Sequence, residues 1–539
     1  MKMNFYVALI CICCVSANVY NGNFRINWSH GSPDGYSRAI LSINNEYPCP
    51  TIIVTEGDLI NITVRNELNE STSIHWHGLN QHENVHMDGV PGVTQCPIRP
   101  NQTFVYQMST ENQSGTYWYH SHSSIQYGDG LKGILIIQHR NDPWKQFYDD
   151  EQIIELTDWY HIPLNILIKP YLDPGEFESV PVTGLINGIG QFNCTLDETC
   201  SFYRATIRNG TTKRFRIINT SVYAQITFSI DQHEMRLIEV DGTYLDGNQW
   251  TRTLLLNPGQ RYSILVTTKT NSSRSYWIRS TLHPFIYPHH QYNTSIQPNA
   301  SAILQYVDQD NQTETILPSI ESFFNDQFRI NQSIEDARQF ADQMNLIAMN
   351  RSEYQVPTGD SITTLTFNSQ FEDYQPHGVY FNNQTFVQPI NRTLLSLLLY
   401  DNSSQLSWPM VIQIENKKIY DVIINNIDYA PHPFHLHGHH VWIVGQGRSN
   451  DGYLNETTIH NVTLNTTNAI YRDTFTVNPY SYLVFRFLTT NPGIWIIHCH
   501  NDWHLQVRMA FVFNESPQLI KQFYFNHNLT NYVPFQCQI

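Results

Sequence analysis

The sequence predicts an all-β protein. Short runs in which apolar and polar residues alternate recur between Gly, Asn, Pro or Asp residues, and segments with a helical period are scarce. Such short strands are typical of β-sandwiches and β-barrels. The best helix candidate is Ile334 to Met349. The clearest strand candidates are Gly133 to Gln138, Arg214 to Asn219, Arg261 to Thr267, Ile419 to Asn425 and Tyr482 to Leu488.

Residues 1–17 have the pattern of a secretory signal peptide. An apolar stretch from Phe5 to Val15 follows Lys2 and leads into the small residues Ser16 and Ala17. The alternative is an N-terminal core strand, but three cysteines crowd this stretch, which suits a discarded segment better. No other run reaches the roughly 20 apolar residues of a membrane span. We therefore expect a secreted protein whose mature chain has no membrane span.

Asn-x-Ser/Thr sequons support secretion independently. The sequence contains more than twenty of them, although an Asn-rich chain also produces the motif by chance. Among them are Asn61, Asn112, Asn209, Asn271, Asn391, Asn461 and Asn528.

The length of 539 residues corresponds to two to four domains at roughly 150 residues each. A charged stretch from Arg140 to Gln152 and an Asn/Gln/Asp-rich region before the helix candidate divide the chain. The predicted domains are residues 18–140, 141–310 and 346–539, with a connector at 311–345.

Charge excludes one class of partner. Lys and Arg total 31 and Asp and Glu total 47, which gives a net charge of −16. DNA or RNA would be repelled, so the chain does not bind nucleic acid. Hydrophobic residues make up 41% of the chain, as in a folded protein rather than a disordered one.

The candidate chemistry lies in four histidine clusters, two near each end of the chain. Residues i and i+2 of a strand share a face, so each His-x-His pair can present two imidazoles to a metal ion. One such pair is often only a surface feature, but four favour metal binding. The clusters are His75-Trp76-His77, His120-Ser121-His122, His432-Pro433-Phe434-His435-Leu436-His437 and His498-Cys499-His500, the last followed by His504 and Met509.

The third and fourth clusters each divide between two strand faces. In an extended segment His435 and His437 share one face, whereas His432 falls on the other. The fourth cluster has the same division, with its two histidines on one face and Cys499 on the other. Two different sites therefore flank the same strands.

One cysteine, two histidines and a distant methionine are the ligand set of a blue-copper site. Cys499, His432, His504 and Met509 supply this set. The other eight histidines occur in pairs, which suits a multinuclear copper cluster on the opposite face. A structural zinc site fits poorly, because such sites are usually closed by four ligands and this sequence offers one cysteine amid ten histidines.

These motifs resemble those of multicopper oxidases of the three-domain type, which includes laccases, ascorbate oxidases and yeast-type ferroxidases. The likeness runs from about Thr51 to Phe513 and is weakest between Gln305 and Asn391. Further family-like strings are Met87-Asp88-Gly89-Val90-Pro91, Thr94-Gln95-Cys96-Pro97, Gly115-Thr116-Tyr117 and Leu185-Ile186-Asn187-Gly188. The resemblance implies three consecutive Greek-key cupredoxin-like β-barrel domains, four copper ions and O2 as the electron acceptor.

The resemblance also implies a role for each ligand. A type 1 copper is held by His432, Cys499, His504 and Met509. A type 2 copper is held by His75 and His435. A type 3 copper pair is held by His77, His120, His122, His437, His498 and His500. This cluster lies between the first and third domains, which accounts for ligands at the two ends of the chain.

Two acids match positions near the family's trinuclear site. Acidic groups there donate protons or orient ligating imidazoles, and we expect this of Asp88 and Asp502. For Asp88 the alternative is a turn-forming role before Gly89.

Two more acids bear on the substrate. Glu178 and Asp428 resemble, by their spacing, two acids that bind Fe(II) beside the type 1 site of yeast-type ferroxidases; the alternative is that both are solvated loop acids. No further acid occurs between Thr281 and Pro298.

The predicted function is that of a secreted laccase-like multicopper oxidase acting on phenolic or diphenol-type substrates. Ferroxidase activity on Fe(II), or ascorbate oxidase-like activity, is the alternative. A single-copper electron carrier needs only the Cys499 site, and a copper-binding glycoprotein without activity needs no two-faced arrangement.

Six cysteines remain after residue 17, and Cys499 is the predicted ligand. The pair Cys96 and Cys537 resembles a disulfide of ascorbate oxidases. Cys194 and Cys200 can close a short loop, or either can pair with Cys49.

Overall fold

The fold is taken from a computed structural model that describes residues 17–173, 175–192, 201–269, 275–283, 296–307, 343–359, 361–372, 378–401 and 406–538. The predicted signal peptide, apart from Ala17, lies outside these residues. The described chain forms three successive β-domains, each built from two sheets.

The first β-domain contains one sheet with strand order β2-β1-β4-β6 and another with order β3-β8-β7-β5. Its strands are β1 (Val19–Gly31), β2 (Arg38–Ile43), β3 (Ile52–Thr55), β4 (Leu59–Asn66), β5 (His75–His77), β6 (Thr103–Ser109), β7 (Gly115–His120) and β8 (Lys132–Gln138).

The second β-domain has sheets of order β10-β9-β12-β18-β14-β15, with β16 on β14, and β11-β20-β19-β13-β17. Its strands are β9 (Asp150–Trp159), β10 (Thr183–Ile186), β11 (Tyr203–Arg208), β12 (Thr212–Asn219), β13 (Ile226–Ile230), β14 (Met235–Val240), β15 (Thr243–Tyr244), β16 (Trp250–Thr251), β17 (Thr253–Leu256), β18 (Arg261–Thr267), β19 (Tyr276–Leu282) and β20 (Asn299–Val307).

The third β-domain has sheets of order β22-β21-β24-β29-β26-β27 and β23-β31-β30-β25-β28. Its strands are β21 (Ile362–Glu372), β22 (Gly378–Phe381), β23 (Val411–Ile414), β24 (Ile419–Asn426), β25 (His432–Leu436), β26 (Val441–Gln446), β27 (Tyr471–Arg472), β28 (Thr474–Val477), β29 (Ser481–Leu488), β30 (Gly493–Cys499) and β31 (Ala510–Glu515).

All five runs that the alternation pattern predicts as strands lie in strands, namely β8, β12, β18, β24 and β29. Strand β29 illustrates why. Leu483, Phe485 and Phe487 share one face, and each is at most 1% exposed. Burying a side chain of this size is worth roughly 1.5–3 kcal/mol, so the period of two fixes which face packs on the core.

In the described residues four α-helices accompany the sheets, at Leu164–Tyr171, Leu394–Tyr400, Asp502–Gln506 and Pro517–Asn526. Thr393 begins the second of them, because its hydroxyl accepts a hydrogen bond from the amide of Ser396 at 2.9 Å. No helix in the described part of the chain has the length and apolar character needed to cross a membrane.

The predicted helix over Ile334 to Met349 is wrong in the part that can be compared. Residues 334–342 lie outside the described residues, and only Gln343–Asn345 forms a single 3-10 turn. The chain then extends, because the amide of Met349 donates to the carbonyl of Tyr244 at 2.8 Å and Ala348 forms a bridge with Leu245. Pairing with the second β-domain outweighs the local helical pattern.

A disulfide between Cys96 and Cys537 joins the first β-domain to the C-terminal segment, which confirms the predicted bridge. Cys49 is a buried thiol. Cys194 and Cys200 lie outside the described residues, so their pairing stays a prediction.

Candidate metal centres

A cysteine and two histidines of the third β-domain converge to form what we call the thiolate site. Strand β25 begins at His432, β30 ends at Cys499, and the helix Asp502–Gln506 carries His504. The Cys499 Sγ lies 3.8 Å from Nδ1 of His432 and 3.5 Å from Nδ1 of His504, and these two nitrogens are 3.1 Å apart. One soft sulfur and two imidazole nitrogens facing one point can hold a metal ion, and this donor set suits copper.

Electrostatics favour the thiolate form of Cys499. Burial alone would raise the pKa of the thiol, but the adjacent His504 and His432 outweigh burial and lower that pKa to about 7. Met509 is fully buried next to this cysteine, and the Cys499 amide donates to the Met509 carbonyl at 3.0 Å.

Eight histidines from the first and third β-domains meet on the other side of β30 and form what we call the histidine cluster. Strands β5 and β7 pair His75 with His120, and β25 and β30 pair His435 with His498. The alternation of side chains along β30 places the thiolate site and the histidine cluster on opposite faces. The members are His75, His77, His120, His122, His435, His437, His498 and His500.

Ring nitrogens within the histidine cluster approach at the spacing of shared metal ligands. Nε2 of His498 lies 3.1 Å from Nε2 of His437 and 3.4 Å from Nε2 of His122. Nε2 of His500 likewise lies 3.2 Å from Nδ1 of His77. The cluster thus contains several overlapping groups of histidines that can share metal ions.

The donor atoms fit a bound metal. Nε2 of His75, His120 and His435 are buried and have no hydrogen-bond partner among the described residues. A buried ring nitrogen without a partner is costly unless a metal ion binds it. Burial also lowers the pKa of His120 and His435 below its usual value, which keeps these imidazoles neutral, the form that binds metal.

The opposite ring nitrogens are fixed by hydrogen bonds to the backbone. Nδ1 of His75 donates to the carbonyl of Asp88 at 2.7 Å, and Nδ1 of His120 donates to the carbonyl of Ser121 at 2.9 Å. Nδ1 of His498 donates to the carbonyl of Cys499 at 2.9 Å. Each bond sets the tautomer that leaves Nε2 available as a ligand.

Asp88 lies against the histidine cluster, where the sequence analysis expects it. One carboxylate oxygen accepts from Nδ1 of His437 at 2.9 Å, and the other lies 3.3 Å from Nδ1 of His75. The turn at Asp88 requires the next residue to be glycine. Gly89 has φ of +90°, and a Cβ there would lie 1.9 Å from the carbonyl oxygen of Ile74.

A second acid, Asp473, touches two other members of the histidine cluster and was missed by the sequence analysis. Its Oδ1 lies 3.3 Å from Nε2 of His77 and 3.5 Å from Nδ1 of His435. Burial opposes the charge on Asp473, but Arg261 outweighs burial and holds the pKa of the carboxyl well below its usual value. The dipeptide Arg472-Asp473 has no local metal-binding pattern, so only the fold reveals the contact.

Comparison with known proteins decides the family. Three family models described as multicopper oxidase match residues 25–142, 150–309 and 383–519. The chain belongs to the multicopper oxidase family. It is therefore an oxidoreductase that uses copper and O2, and its three β-domains are the cupredoxin-like domains that the resemblance implied.

Relatives of this chain include both iron transport multicopper oxidases and laccases. The iron transport multicopper oxidase fio1 of Schizosaccharomyces pombe is 34% identical over 94% of this chain and 77% of its own length. Laccase-1 of Cryptococcus neoformans var. grubii is 30% identical over 89% of this chain and 78% of its own length.

Solved structures that resemble this chain also include a multicopper oxidase of iron import and a laccase. The crystal structure of Fet3p, a multicopper oxidase that functions in iron import, has a TM-score of 0.82 at 28% identity and covers 96% of both chains. The laccase from Botrytis aclada has a TM-score of 0.74 at 27% identity, covering 97% of this chain and 94% of the laccase.

The oxidase has a cleft of about 370 Å³ beside the thiolate site, between the second and third domains. Both predicted substrate acids line it. Oε1 of Glu178 accepts from Nε2 of His504 at 3.1 Å, and Oδ2 of Asp428 accepts from Nε2 of His432 at 3.0 Å. Each acid thus touches the outer nitrogen of one thiolate-site histidine.

Five aromatic residues form part of the rest of the cleft wall. Tyr171, Phe177, Tyr223, Phe371 and Tyr429 line it, and Phe177 and Tyr429 are more than two-thirds exposed. His283 also lines the cleft. It belongs to the segment between Thr281 and Pro298, in which the sequence has no acid.

Asp502 lies beside histidines of the cluster other than the two that Asp88 contacts. It lines a small cavity together with His120, His122 and His498. Its Oδ1 accepts from Nε2 of Gln506 at 3.3 Å, whereas Oδ2 is buried without a hydrogen-bond partner among the described residues. Burial raises the pKa of Asp502 well above its usual value, which favours the protonated form of the carboxyl.

Proposed function

We propose that this oxidase holds four copper ions and oxidises small reductants one electron at a time in the cleft beside the thiolate site. The type 1 ion is assigned to His432, Cys499, His504 and Met509. The type 2 ion is assigned to His75 and His435. The type 3 pair is assigned to His77, His120, His122, His437, His498 and His500. When bound, the copper ions accept electrons singly and deliver four of them to O2, which yields two water molecules.

The protein supplies the connection between the two sites. Cys499 is joined by peptide bonds to His498 on one side and His500 on the other, so a single tripeptide links the thiolate site to the histidine cluster. The hydrogen bond from Nδ1 of His498 to the Cys499 carbonyl shortens this route further. A protein that only carried electrons would need no second site here.

Proton supply is assigned to the two acids at the histidine cluster. Reducing O2 to water consumes protons as well as electrons. Asp502 faces the small cavity beside four cluster histidines, and Asp88 contacts two others. Because the two acids lie beside different histidines, one acid can serve the cavity while the other orients ligands.

The substrate proposal rests on one observation: a carboxylate accepts a hydrogen bond from Nε2 of each thiolate-site histidine, the ring nitrogen that faces away from Cys499. Glu178 and Asp428 are hard oxygen ligands for a small divalent cation, and both remain 17% exposed. A cation bound there would lie one hydrogen bond away from a ligating imidazole. Fe(II) is the reducing cation that fits, and several relatives are named iron transport multicopper oxidases.

The cleft also suits diphenols. Aromatic walls bind a planar ring, and a carboxylate at the inner end accepts the phenol proton as the electron leaves. Oxidation of diphenols in this cleft is the predicted laccase-like activity. The two carboxylates favour Fe(II) as a second substrate of the same cleft.

The test uses purified protein loaded with copper. We expect four copper ions per chain, a blue thiolate-to-copper absorption, and uptake of one O2 for every four Fe(II) ions or two hydroquinones oxidised. A chain with one copper ion and no O2 uptake would instead be an electron carrier.

We also propose that the chain is secreted and glycosylated. The support is the signal-like segment and the many sequons. Two sequons give a matched pair for mass spectrometry of protein from the medium. Asn112 is exposed, whereas Asn219 is buried and donates to the carbonyls of Ala224 and Leu256. We expect a glycan at Asn112 and none at Asn219; an unmodified Asn112 contradicts the proposal.

A further inference from the structure

We propose that Arg261 is a positioning residue for the type 2 site, acting through Asp473 on His435 and His77. Arg261 belongs to the second domain, which contributes no predicted copper ligand. The inference rests on the ligand assignment made above, and it gives the second domain a specific part in building the histidine cluster.

Arg261 is held at the junction of all three domains and is completely buried. Its Nη1 and Nη2 donate to the two carboxylate oxygens of Asp473 at 2.7 and 2.6 Å, a bidentate pair. Nε donates to the carbonyl of Thr116 in the first domain at 2.9 Å, and Nη1 also donates to the carbonyl of Gly259 at 3.1 Å. The guanidinium therefore has one permitted orientation.

Asp473, which Arg261 holds in place, contacts two imidazoles of the histidine cluster. Its Oδ1 is near Nε2 of His77 and Nδ1 of His435, whose rings stack with centroids 3.7 Å apart and planes 12° apart. The Thr474 hydroxyl donates to the same oxygen at 2.7 Å and lies 3.1 Å from Nε2 of His77. The carbonyl oxygen of Asp473 also accepts from Nδ1 of His435 at 3.0 Å, so the backbone and the carboxylate of Asp473 together hold a stacked pair of predicted ligands, one from each end of the chain.

The loop before Arg261 closes the same side of the cluster. A Cβ at Gly259 would lie 2.9 Å from Cδ2 of His500 and 3.0 Å from Cε1 of His77, and φ of Gly259 is +85°. The next side chain, Gln260, donates to the carbonyl of Thr474 at 3.3 Å. The second domain therefore contacts the cluster directly as well as through Arg261.

The two carboxylates at the cluster differ in how they are held. Asp88 forms ion pairs only with His75 and His437 among the described residues, whereas both oxygens of Asp473 are occupied by Arg261. Asp473 is rigid because a second domain clamps it. This difference suits Asp473 for fixing ligand positions.

A lysine side chain cannot replace the bidentate contact of Arg261 with Asp473, because its ammonium group is a point charge and lacks the two parallel donors of a planar guanidinium. In Arg261→Lys we expect the type 2 position to bind copper about 10–100-fold more weakly, the usual effect of losing a group that orients a ligating histidine. Copper content should fall from four toward three ions per chain, with loss of the type 2 electron paramagnetic resonance signal. The blue absorption should persist, since Arg261 does not touch the thiolate site.

A neighbouring arginine provides the control. Arg472 is equally buried, and its Nε donates to Asp241 at 2.8 Å rather than to Asp473. Arg472→Lys should keep four copper ions and the type 2 signal. Asp473→Asn, which preserves shape, should lose the type 2 signal as Arg261→Lys does, and thermal unfolding of each variant checks that it is folded.

Three results would overturn the inference: a native type 2 signal in Arg261→Lys, an equal loss in Arg472→Lys, or parallel loss of the blue absorption and the type 2 signal in Arg261→Lys. Failure of the proposed function looks different. In that case the unmodified protein itself would lack four copper ions or the type 2 signal.

Discussion

Glu178 and His504 come from different domains, yet a hydrogen bond of 3.1 Å joins the Glu178 carboxylate to the ring nitrogen of His504 that faces away from Cys499. The bond links the substrate cleft to the thiolate site without an intervening side chain. Asp428 makes the equivalent contact with His432 at 3.0 Å. Each acid can therefore be removed without deleting a predicted copper ligand.

Removing both acids should separate the two substrate classes. In Glu178→Ala with Asp428→Ala we expect the KM for Fe(II) to rise at least about tenfold, because two charge-assisted contacts are lost. The KM for a neutral hydroquinone should change by no more than about twofold. Steady-state O2 uptake with each substrate measures both values. An equal effect on the two substrates would remove the iron-site proposal and leave diphenol oxidation.

Cys499→Ser should abolish the blue absorption and substrate oxidation together. The hydroxyl is a hard and weakly acidic group, so it does not replace the thiolate in this donor set. Absorption spectroscopy and O2 uptake on copper-loaded protein test this. Cys49→Ser, which changes the other buried thiol, is the matched control and should stay blue. Blue colour in Cys499→Ser would contradict the ligand assignment.

Met509→Leu should keep the blue colour and raise the reduction potential of the type 1 site. A thioether in the axial position donates weakly to the metal, and its removal favours the reduced ion. Redox titration of the blue band measures the potential. A potential that stays the same or falls counts against Met509 as the axial group.

Asp502→Asn and Asp88→Asn should slow reoxidation of the reduced protein by O2, by about 100-fold if the acid is the proton donor. Reduction of the type 1 site should stay fast in both. Stopped-flow recovery of the blue band after mixing with O2 separates the two steps. Reoxidation at the normal rate in one variant would exclude that acid as the donor.

Loss of the disulfide should lower stability without changing the copper sites. Cys96 and Cys537 are separated by 441 residues, and removing a native disulfide costs about 2–4 kcal/mol. We expect Cys96→Ser with Cys537→Ser to unfold at lower temperature and to stay blue. Non-reducing peptide mapping that finds Cys96 unpaired in the unmodified protein would contradict the bridge.

The strands and the metal-binding motifs could be predicted because both depend on local spacing. The period of two in β29 selects the buried face, and the same period separates Cys499 from His498 and His500. Asp473 could not be found in this way, since its partner Arg261 lies 212 residues away and neither residue has a local signature. The helix candidate failed for a related reason, because Ala348 pairs with Leu245 in another domain.

The division of the histidine cluster between the first and third domains has a consequence for biosynthesis. Its four N-terminal imidazoles, at His75, His77, His120 and His122, are translated long before their four partners. Until strand β30 has left the ribosome and paired with β25, those early imidazoles face no second set of ligands. The complete set of histidines that is proposed to bind copper therefore exists only after almost the whole polypeptide has been made and folded.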